Sequence, residues 1–358
     1  MRVFVNPAPN LSLPSIGGID RVVYAQSLHL PDHDIVVIPS ADGADVIANH
    51  ATLLEERPNI PMVSHTHGLY WSDYEWPTWT EHANSQVIES MRRANAVTAP
   101  SHWVAAAITR GMLVTPEVIY HGVDTDEWYP IDENRNYVLW NKGREDSVSN
   151  PRDMQELARM NPNSLFVSTF GMPTSNVKIT GPMSHDAMKQ LVQRASVYLS
   201  TARETFGIGT IEAISCGIPV IGWDYGGQSE IVIPGETGYL APYGDYNELS
   251  NCLRLALENR KYMSERCRED ALSRWRWADR IAQYADLYRN TYMRYHEPRP
   301  KVSVIVTTHN LSRYLNDCLQ SVVEQSLRDW ECVVIDDYST DDPRQVVGEM
   351  NDRRINYF

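Results

Sequence analysis

The stretch Thr201–Gly222, TARETFGIGTIEAISCGIPVIG, constrains this chain more than any other. The β-branched apolar run SVYLS leads into it and PVIG closes it, so a short helix is bracketed by two strands in one βαβ unit. Gly217 stops the helix and Pro219 opens the second strand. Units of this kind bind ligands beyond the carboxyl ends of their strands, where the free N–H groups of a helix N-terminus point. Glu204 falls in that mouth, in a glycine-containing loop, and Glu212 follows about two helical turns on. Taken alone, Glu212 faces the crevice only if the helix tilts toward it; an exposed helix carboxylate fits the pattern as well.

A βαβ unit cannot stand by itself, and the chain on both sides supplies more of them. MRVFV reads as a buried opening strand, and a Pro/Ser loop carries it to Gly17-Gly18 and a helix over Val22–Leu28. A strand feeding a glycine pair at a helix N-terminus is a phosphate-binding geometry, although a plain tight turn uses the same residues. Strands follow over Asp34–Ser40, Ala44–Asn49 and Ile60–Gly68, the last running into His65 and His67. NAVTAPS is another strand, VAAAITRGM a helix closing near Gly111, and PEVIYHGVD a strand entering a turn. A second alternation starts at Asn136–Arg144 and runs through MQELARM, SLFVSTFG, NVKITG and HDAMKQLVQRA to the opening unit. After the glycine-rich YGGQSEIVIPGETGYLAP comes a long helical tail. The expected architecture is therefore α/β, with two Rossmann-like doubly wound domains facing a cleft, residues 1–126 and 127–280. The tail helix, 281–298, is expected to pack back on the first domain through a stripe of Tyr284, Tyr288, Tyr292 and Tyr295. Past the linker Glu297–Lys301 a further α/β unit begins, and 299–358 is too short to complete such a sheet.

A net charge of −14 argues against a general nucleic-acid binder, because a phosphate backbone would be repelled. The five cysteines have no paired spacing and no CxxC, which predicts reduced thiols and no zinc site. MRVFVNPAPN has no signal-peptide core, and no apolar run reaches the roughly 18 residues of a membrane helix. A cytoplasmic protein is expected, with any membrane contact peripheral and at the inner face.

The motifs GGID, HTHGL, SHWVAAAI, YHGVD, NVKITG, RETFGIGTIEAISCGIPVIG and GGQSEIVIPGETGYL occur in this order between Met1 and about Tyr295. Through them the chain resembles the retaining glycosyltransferases of family 4, which have the GT-B fold. In Lys301–Phe358, the runs VSVIVTTHN, CLQSVVEQS and VVIDDYSTDD are similar to the first part of a family 2 glycosyltransferase of the GT-A fold. The metal-binding Asp-x-Asp of that fold would come later, so a longer two-enzyme polypeptide is expected. In a GT-A fold Asp336 and Asp337 would lie at the nucleotide.

The resemblance implies transfer of a sugar, with retention, from a nucleotide-diphosphate sugar such as a UDP- or GDP-sugar to a saccharide or lipid-linked acceptor. It implies no metal and no other cofactor, and a place in bacterial-type polysaccharide or glycoconjugate synthesis. By the same resemblance Glu204 meets the donor sugar hydroxyls and Glu212 the ribose. The amides of Thr205, Phe206, Gly207 and Ile208 lie along sugar and diphosphate, and the backbone at Ile179 and Gly181 takes the base. Lys142 and Arg144 are the candidate cations for the departing diphosphate, joined by N–H groups of Gly17 and Gly18. The family's arginine-then-lysine pattern is not kept here, since no lysine lies between Lys142 and Lys178. His67 matches the family's histidine near the reacting sugar, and His65 shares its strand end. His121 is assigned to the interdomain turn, Cys216 and Met183 to the core. Trp71, Asp73 and Trp76, in the aromatic loop Leu69–His82, are acceptor candidates; a cluster that merely pins the loop fits equally. Front-side attack and double displacement both remain open as routes to retention. Two other readings share the fold: a nucleotide-sugar 2-epimerase, and a donor-binding scaffold for the family 2 module.

Overall fold

Runs of Val, Ile and Leu without polar alternation bury on both faces, and parallel strands need helical crossovers to connect them. The computed structural model describes residues 1–8, 17–51, 53–54, 59–70, 78–112, 114–132, 136–143, 145, 148–297 and 300–358. These fall into two units, Met1–Tyr295 and His296–Phe358.

The larger unit holds two parallel sheets. The first takes β1 (Arg2–Asn6), β2 (Val36–Ile38), β3 (Val46–His50), β4 (Met62–His65), β5 (Ala96–Ala99) and β6 (Glu117–Val118) in the order β2-β1-β3-β4-β5-β6. Helices α1 (Gly18–His29), α2 (Trp79–Arg93) and α3 (His102–Met112) belong to it. The second takes β7 (Val138–Trp140), β8 (Phe166–Ser168), β9 (Val177–Ile179), β10 (Val197–Ser200), β11 (Val220–Trp223) and β12 (Gly238–Ala241) in the order β12-β11-β10-β7-β8-β9. Its helices are α4 (Pro151–Met160), α5 (His185–Gln193), α6 (Ile208–Ser215), the short α7 (Gln228–Ile231), α8 (Tyr246–Glu258) and α9 (Arg260–Arg274). In the first sheet the strand order reverses at β1 and β3, in the second at β7 and β10. Open α/β sheets bind ligands at such reversals, beyond the carboxyl ends of the strands. There the chain places Gly17-Gly18 and His50 in one domain, Lys142 and Glu204 in the other.

Helix α10 (Trp277–His296) follows the second domain but packs with the first. Trp277, Ile281, Tyr284, Ala285 and Tyr288 share a core with Val3, Val5, Val22, Val46 and Val63. Tyr284 and Tyr288 are fully buried, Tyr292 packs on the same core, and Tyr295 donates to Asn59 Oδ1 at 2.7 Å. The second domain is built around Tyr198, Ile211, Ile214, Val220 and Trp275 on one face of its sheet, and Val138, Leu157, Phe166, Leu199 and Trp223 on the other.

Some elements differ from the sequence expectation. The first helix starts at Gly18 rather than Val22, because Asp20 accepts from the Gly17 N–H (3.2 Å) and caps the turn. The strand expected over Asp34–Ser40 shrinks to Val36–Ile38, since Asp34 adopts a left-handed φ of 57° after a 3₁₀ turn. The aromatic loop ends earlier than His82: Trp79 already begins α2. The helical tail divides into three helices, and its last begins at Trp277 rather than at residue 281. Met183 is exposed rather than in the core, whereas Cys216 is buried.

The smaller unit, taken by itself, is a three-stranded parallel sheet of β13 (Val302–Thr308), β14 (Trp330–Asp336) and β15 (Ile355–Tyr357), with α11 (Ser312–Val323) and α12 (Pro343–Met350). Leu315, Leu319, Trp330, Cys332 and Val334 form its core. Asp336 accepts first from Ser339 Oγ, then from Tyr357 Oη (2.8 Å) and the Ser339 amide (3.1 Å), which together hold its carboxyl below the usual range.

Candidate active site

The second-domain wall is assembled from the ends of β7 and β10. Lys142, two residues past β7, sends its Nζ to Glu204 Oε1 at 2.7 Å. Its side chain is only 10% exposed, and Nζ lies 5.9 Å from the centre of the Tyr198 ring. Burial pulls the ammonium down, but the Glu204 carboxylate outweighs it and the net shift is upward, so Lys142 stays charged. Glu204 is held by its backbone as well. The Gly226-Gly227 turn sits directly beneath the Glu204–Phe206 main chain: a Cβ at Gly227 would come within 2.4 Å of the Thr205 carbonyl oxygen. This close approach is why the sequence carries glycines there.

Glu212 lies on α6 and is almost fully buried rather than exposed. Its partner is Arg21 of α1, in the other domain, whose Nη1 donates to Glu212 Oε1. Burial raises the Glu212 carboxyl and Arg21 opposes that rise. The two helix N-termini approach one another here, since a Cβ at Gly18 would stand 3.8 Å from Ile208 Cδ1. Ile208 itself touches both domain cores. Beside this pair, His185 Nε2 meets Glu127 Oε1 at 2.6 Å. That bond raises the imidazole and lowers the carboxyl.

The first-domain wall is a stack of histidines. β3, β4 and β5 are in register, so His50, His65 and Thr98 sit side by side at the strand ends. The rings of His50 and His65 stack at 4.4 Å. His65 Nδ1 bonds Thr98 Oγ1 (2.8 Å) and its Nε2 bonds Tyr288 Oη (2.8 Å). His65 thus turns into the layer beneath α10, away from the cleft where it was expected. His67, past the strand end, is half-buried; its Nε2 meets His50 Nδ1 at 3.1 Å and its ring stacks on His121 at 5.3 Å. Burial holds His67 at about 4, and burial with the neighbouring His67 holds His65 at about 3. His50 and His121 are lowered well below 6.5 by burial and by each other's neighbours.

The walls are fastened together at the donor loop. Thr205 Oγ1 donates to the His67 carbonyl (2.6 Å), and Ser101 Oγ donates to the Thr205 carbonyl (2.8 Å). Gly68, at φ +100°, leaves the space that the Thr205 methyl fills: a Cβ would lie 2.2 Å from Thr205 Cγ2. Glu230 of α7 accepts from the His102 and Trp103 amides at the start of α3 (2.9 and 2.7 Å) and from Tyr120 Oη (3.0 Å). A carboxylate at a helix N-terminus is stabilised by the unpaired amides and the macrodipole. Phe206 is packed among His121, Tyr120 and Trp275. Gly207 precedes α6 as its N-cap. Ile179 ends β9 paired with Ser168 and gives its side chain to the second core, and a Cβ at Gly181 would meet nothing within 4 Å. Arg144, Trp71, Asp73 and Trp76 lie outside the described residues.

Family models account for most of the chain. Residues 3–127 match Glycosyltransferase Family 4, residues 172–274 match Glycosyl transferases group 1, and residues 303–358 match Glycosyl transferase family 2. All three are glycosyltransferase models, and none alone covers half of the chain. The Glu204–Glu212 stretch falls inside the group 1 module, and the histidine stack inside the Family 4 module apart from Tyr288. Among curated proteins, the chain is 33% identical over 93 residues to N-acetyl-alpha-D-glucosaminyl L-malate synthase of Bacillus anthracis. That match covers 25% of this chain and 24% of the relative, so it spans about a quarter of the relative's length. Among solved structures, sucrose-phosphate synthase from Thermosynechococcus elongatus aligns with a TM-score of 0.67 at 17% identity, covering 82% of this chain and 99% of that one. Anabaena HepE, solved with UDP and glucose, aligns at 0.59 and 17% identity, covering 80% and 99%. The two-domain fold of the larger unit is GT-B.

Several groups of this site escaped the sequence reading. Arg21 and Glu212 are 191 residues apart, and no local pattern joins them. His50 was the polar residue just past an expected strand end, at a strand-order reversal, and that position was the available signal. Glu230 stands in the quoted GGQSEIVIPGETGYL motif, but its helix-capping role depends on a helix of the other domain.

Proposed function

We propose that the larger unit is a retaining glycosyltransferase that takes its sugar from a nucleotide-diphosphate sugar. The acceptor would be a saccharide or a lipid-linked saccharide, and the setting bacterial-type polysaccharide or glycoconjugate synthesis at the cytoplasmic side of the membrane. The observation that carries the reading is the pairing of Glu204 with buried Lys142, at the strand-order reversal of one domain and opposite a helix N-terminus of the other. A carboxylate there can accept two sugar hydroxyls at once. The leaving diphosphate develops negative charge, which Lys142 and the amides at the starts of α1 and α6 can offset. This supports transfer driven by protein groups in place of a metal. Glu212 is suited to a ribose diol for the same reason that Glu204 suits a sugar.

The test is product analysis by NMR after incubating the chain with UDP- and GDP-sugars, with and without saccharide acceptors. The expected outcome is release of nucleoside diphosphate and a new glycoside with the donor's anomeric configuration. An inverted product would refute retention. A donor isomerised at C2 without acceptor would identify an epimerase instead, and binding without turnover would favour the scaffold.

A further inference from the structure

The charge balance of the cleft leaves a need that Arg21 fits. Lys142 is already committed to Glu204 inside the second domain. A diphosphate carries more than one negative charge, and the first domain contributes amides at Gly17 and Gly18, one of which Asp20 already occupies. Arg21 sits in the first turn of α1, on the same helix end. Its guanidinium crosses to the second domain and pairs with Glu212. Arg21 Nε is buried and has no hydrogen-bond acceptor among the described residues. Its charge also reaches Glu127 and His185 beside Glu212. A planar fork with five N–H donors that uses one face on a carboxylate keeps donors for a second, bidentate acceptor, and phosphate matches that geometry.

We propose that Arg21 is the cation the first domain supplies to the donor's diphosphate, held on Glu212 until the donor's ribose takes that carboxylate. The inference rests on the nucleotide-sugar reading above. Binding then exchanges one interdomain ion pair for two ligand contacts. Ribose hydroxyls replace the guanidinium on Glu212, and the guanidinium turns to phosphate oxygens. The exchange keeps Glu212 neutralised before binding, where a bare buried carboxylate would otherwise take up a proton. It also ties the two domains together through the nucleotide, since Arg21 and Glu212 belong to different walls.

The measurement is binding of UDP and GDP, each against its nucleoside uridine or guanosine, to wild type, Arg21→Gln and Arg21→Lys. Calorimetry follows the diphosphates and ligand-observed NMR the nucleosides. Arg21→Gln is expected to weaken the diphosphate about tenfold or more, the loss of one charge-assisted bond, with nucleoside affinity unchanged or higher. Arg21→Lys keeps the charge without the fork and is expected to show a smaller loss, again confined to the diphosphate. Equal weakening of diphosphate and nucleoside would overturn the proposal, because Arg21 would then only prop Glu212. No weakening of either would overturn it too. If wild type binds neither diphosphate, the nucleotide-sugar reading itself falls, and that result is separate from any effect of the variants.

Discussion

Glu204→Gln is expected to lower kcat/KM for sugar transfer by about a hundredfold or more, in the range seen when one preorganised contact to the reacting group is removed. The structure adds a second consequence. The substitution strands the Lys142 ammonium, which is buried and bonded to that carboxylate. Removing one partner of a buried pair costs about 3 kcal/mol, so the single variant should melt several degrees lower. The two effects separate in the double variant Glu204→Gln, Lys142→Met. Dropping the orphaned charge should restore most of the lost stability while activity stays low. Restored activity in the double variant, or full activity in the single one, would show that Glu204 serves folding alone. The loss of stability follows from the ion pair, whose partners are 62 residues apart along the chain.

Acid should unfold this protein earlier than its carboxylates would dictate. His50, His65, His67 and His121 all have folded-state pKa values below the ordinary 6.5, with burial the leading cause. A histidine lowered in this way binds a proton more readily when unfolded. Its contribution is therefore complete above about pH 6.5 and is lost as pH falls from there toward the folded value. Between pH 6.5 and about 4, the value of His67, each such histidine removes about 1.4 kcal/mol per pH unit. Four of them acting together exhaust a typical stability of 5–15 kcal/mol within about one to three pH units. His185 acts in the opposite sense, since its bond to Glu127 raises its pKa, but it is one group against four. Thermal melts from pH 7.5 to 5 should show a steep fall beginning near pH 6.5. His50→Gln should shallow that slope by about a quarter. A melting temperature that is level down to pH 5 would contradict the account of the histidine stack.

How much of this was readable from residues alone depends on the range of the interaction. The βαβ unit at Thr201–Gly222 was legible because its signals are local: β-branched runs, a helix-stopping glycine and a proline. Glu204 and Glu212 were legible for the same reason. Helix α2 was not, because it buries mostly Thr80, Val87, Ser90 and Met91, and such a mixed stripe has little apolar periodicity. The sequence matches His67 to the histidine near the reacting sugar and only places His65 at the same strand end; the register sends His65 under α10, while His67, past the strand, turns toward His121. The partners of both carboxylates are non-local: Lys142 meets Glu204 because β7 and β10 are neighbours in one sheet, Arg21 meets Glu212 across the two domains, and nothing within a few residues encodes either.

The central claim is that Glu204 and Glu212 form the wall that holds a nucleotide-diphosphate sugar. Thermal melts of wild type, Glu204→Gln and Glu212→Gln with saturating UDP- and GDP-sugars test it most directly. A ligand at a hundred times its Kd stabilises the fold by about 2.7 kcal/mol, a shift of a few degrees in a chain of this size. The account predicts such a shift with at least one nucleotide sugar in wild type, and its loss in both variants. A shift that survives both substitutions, or none with any UDP- or GDP-sugar in wild type, would contradict it.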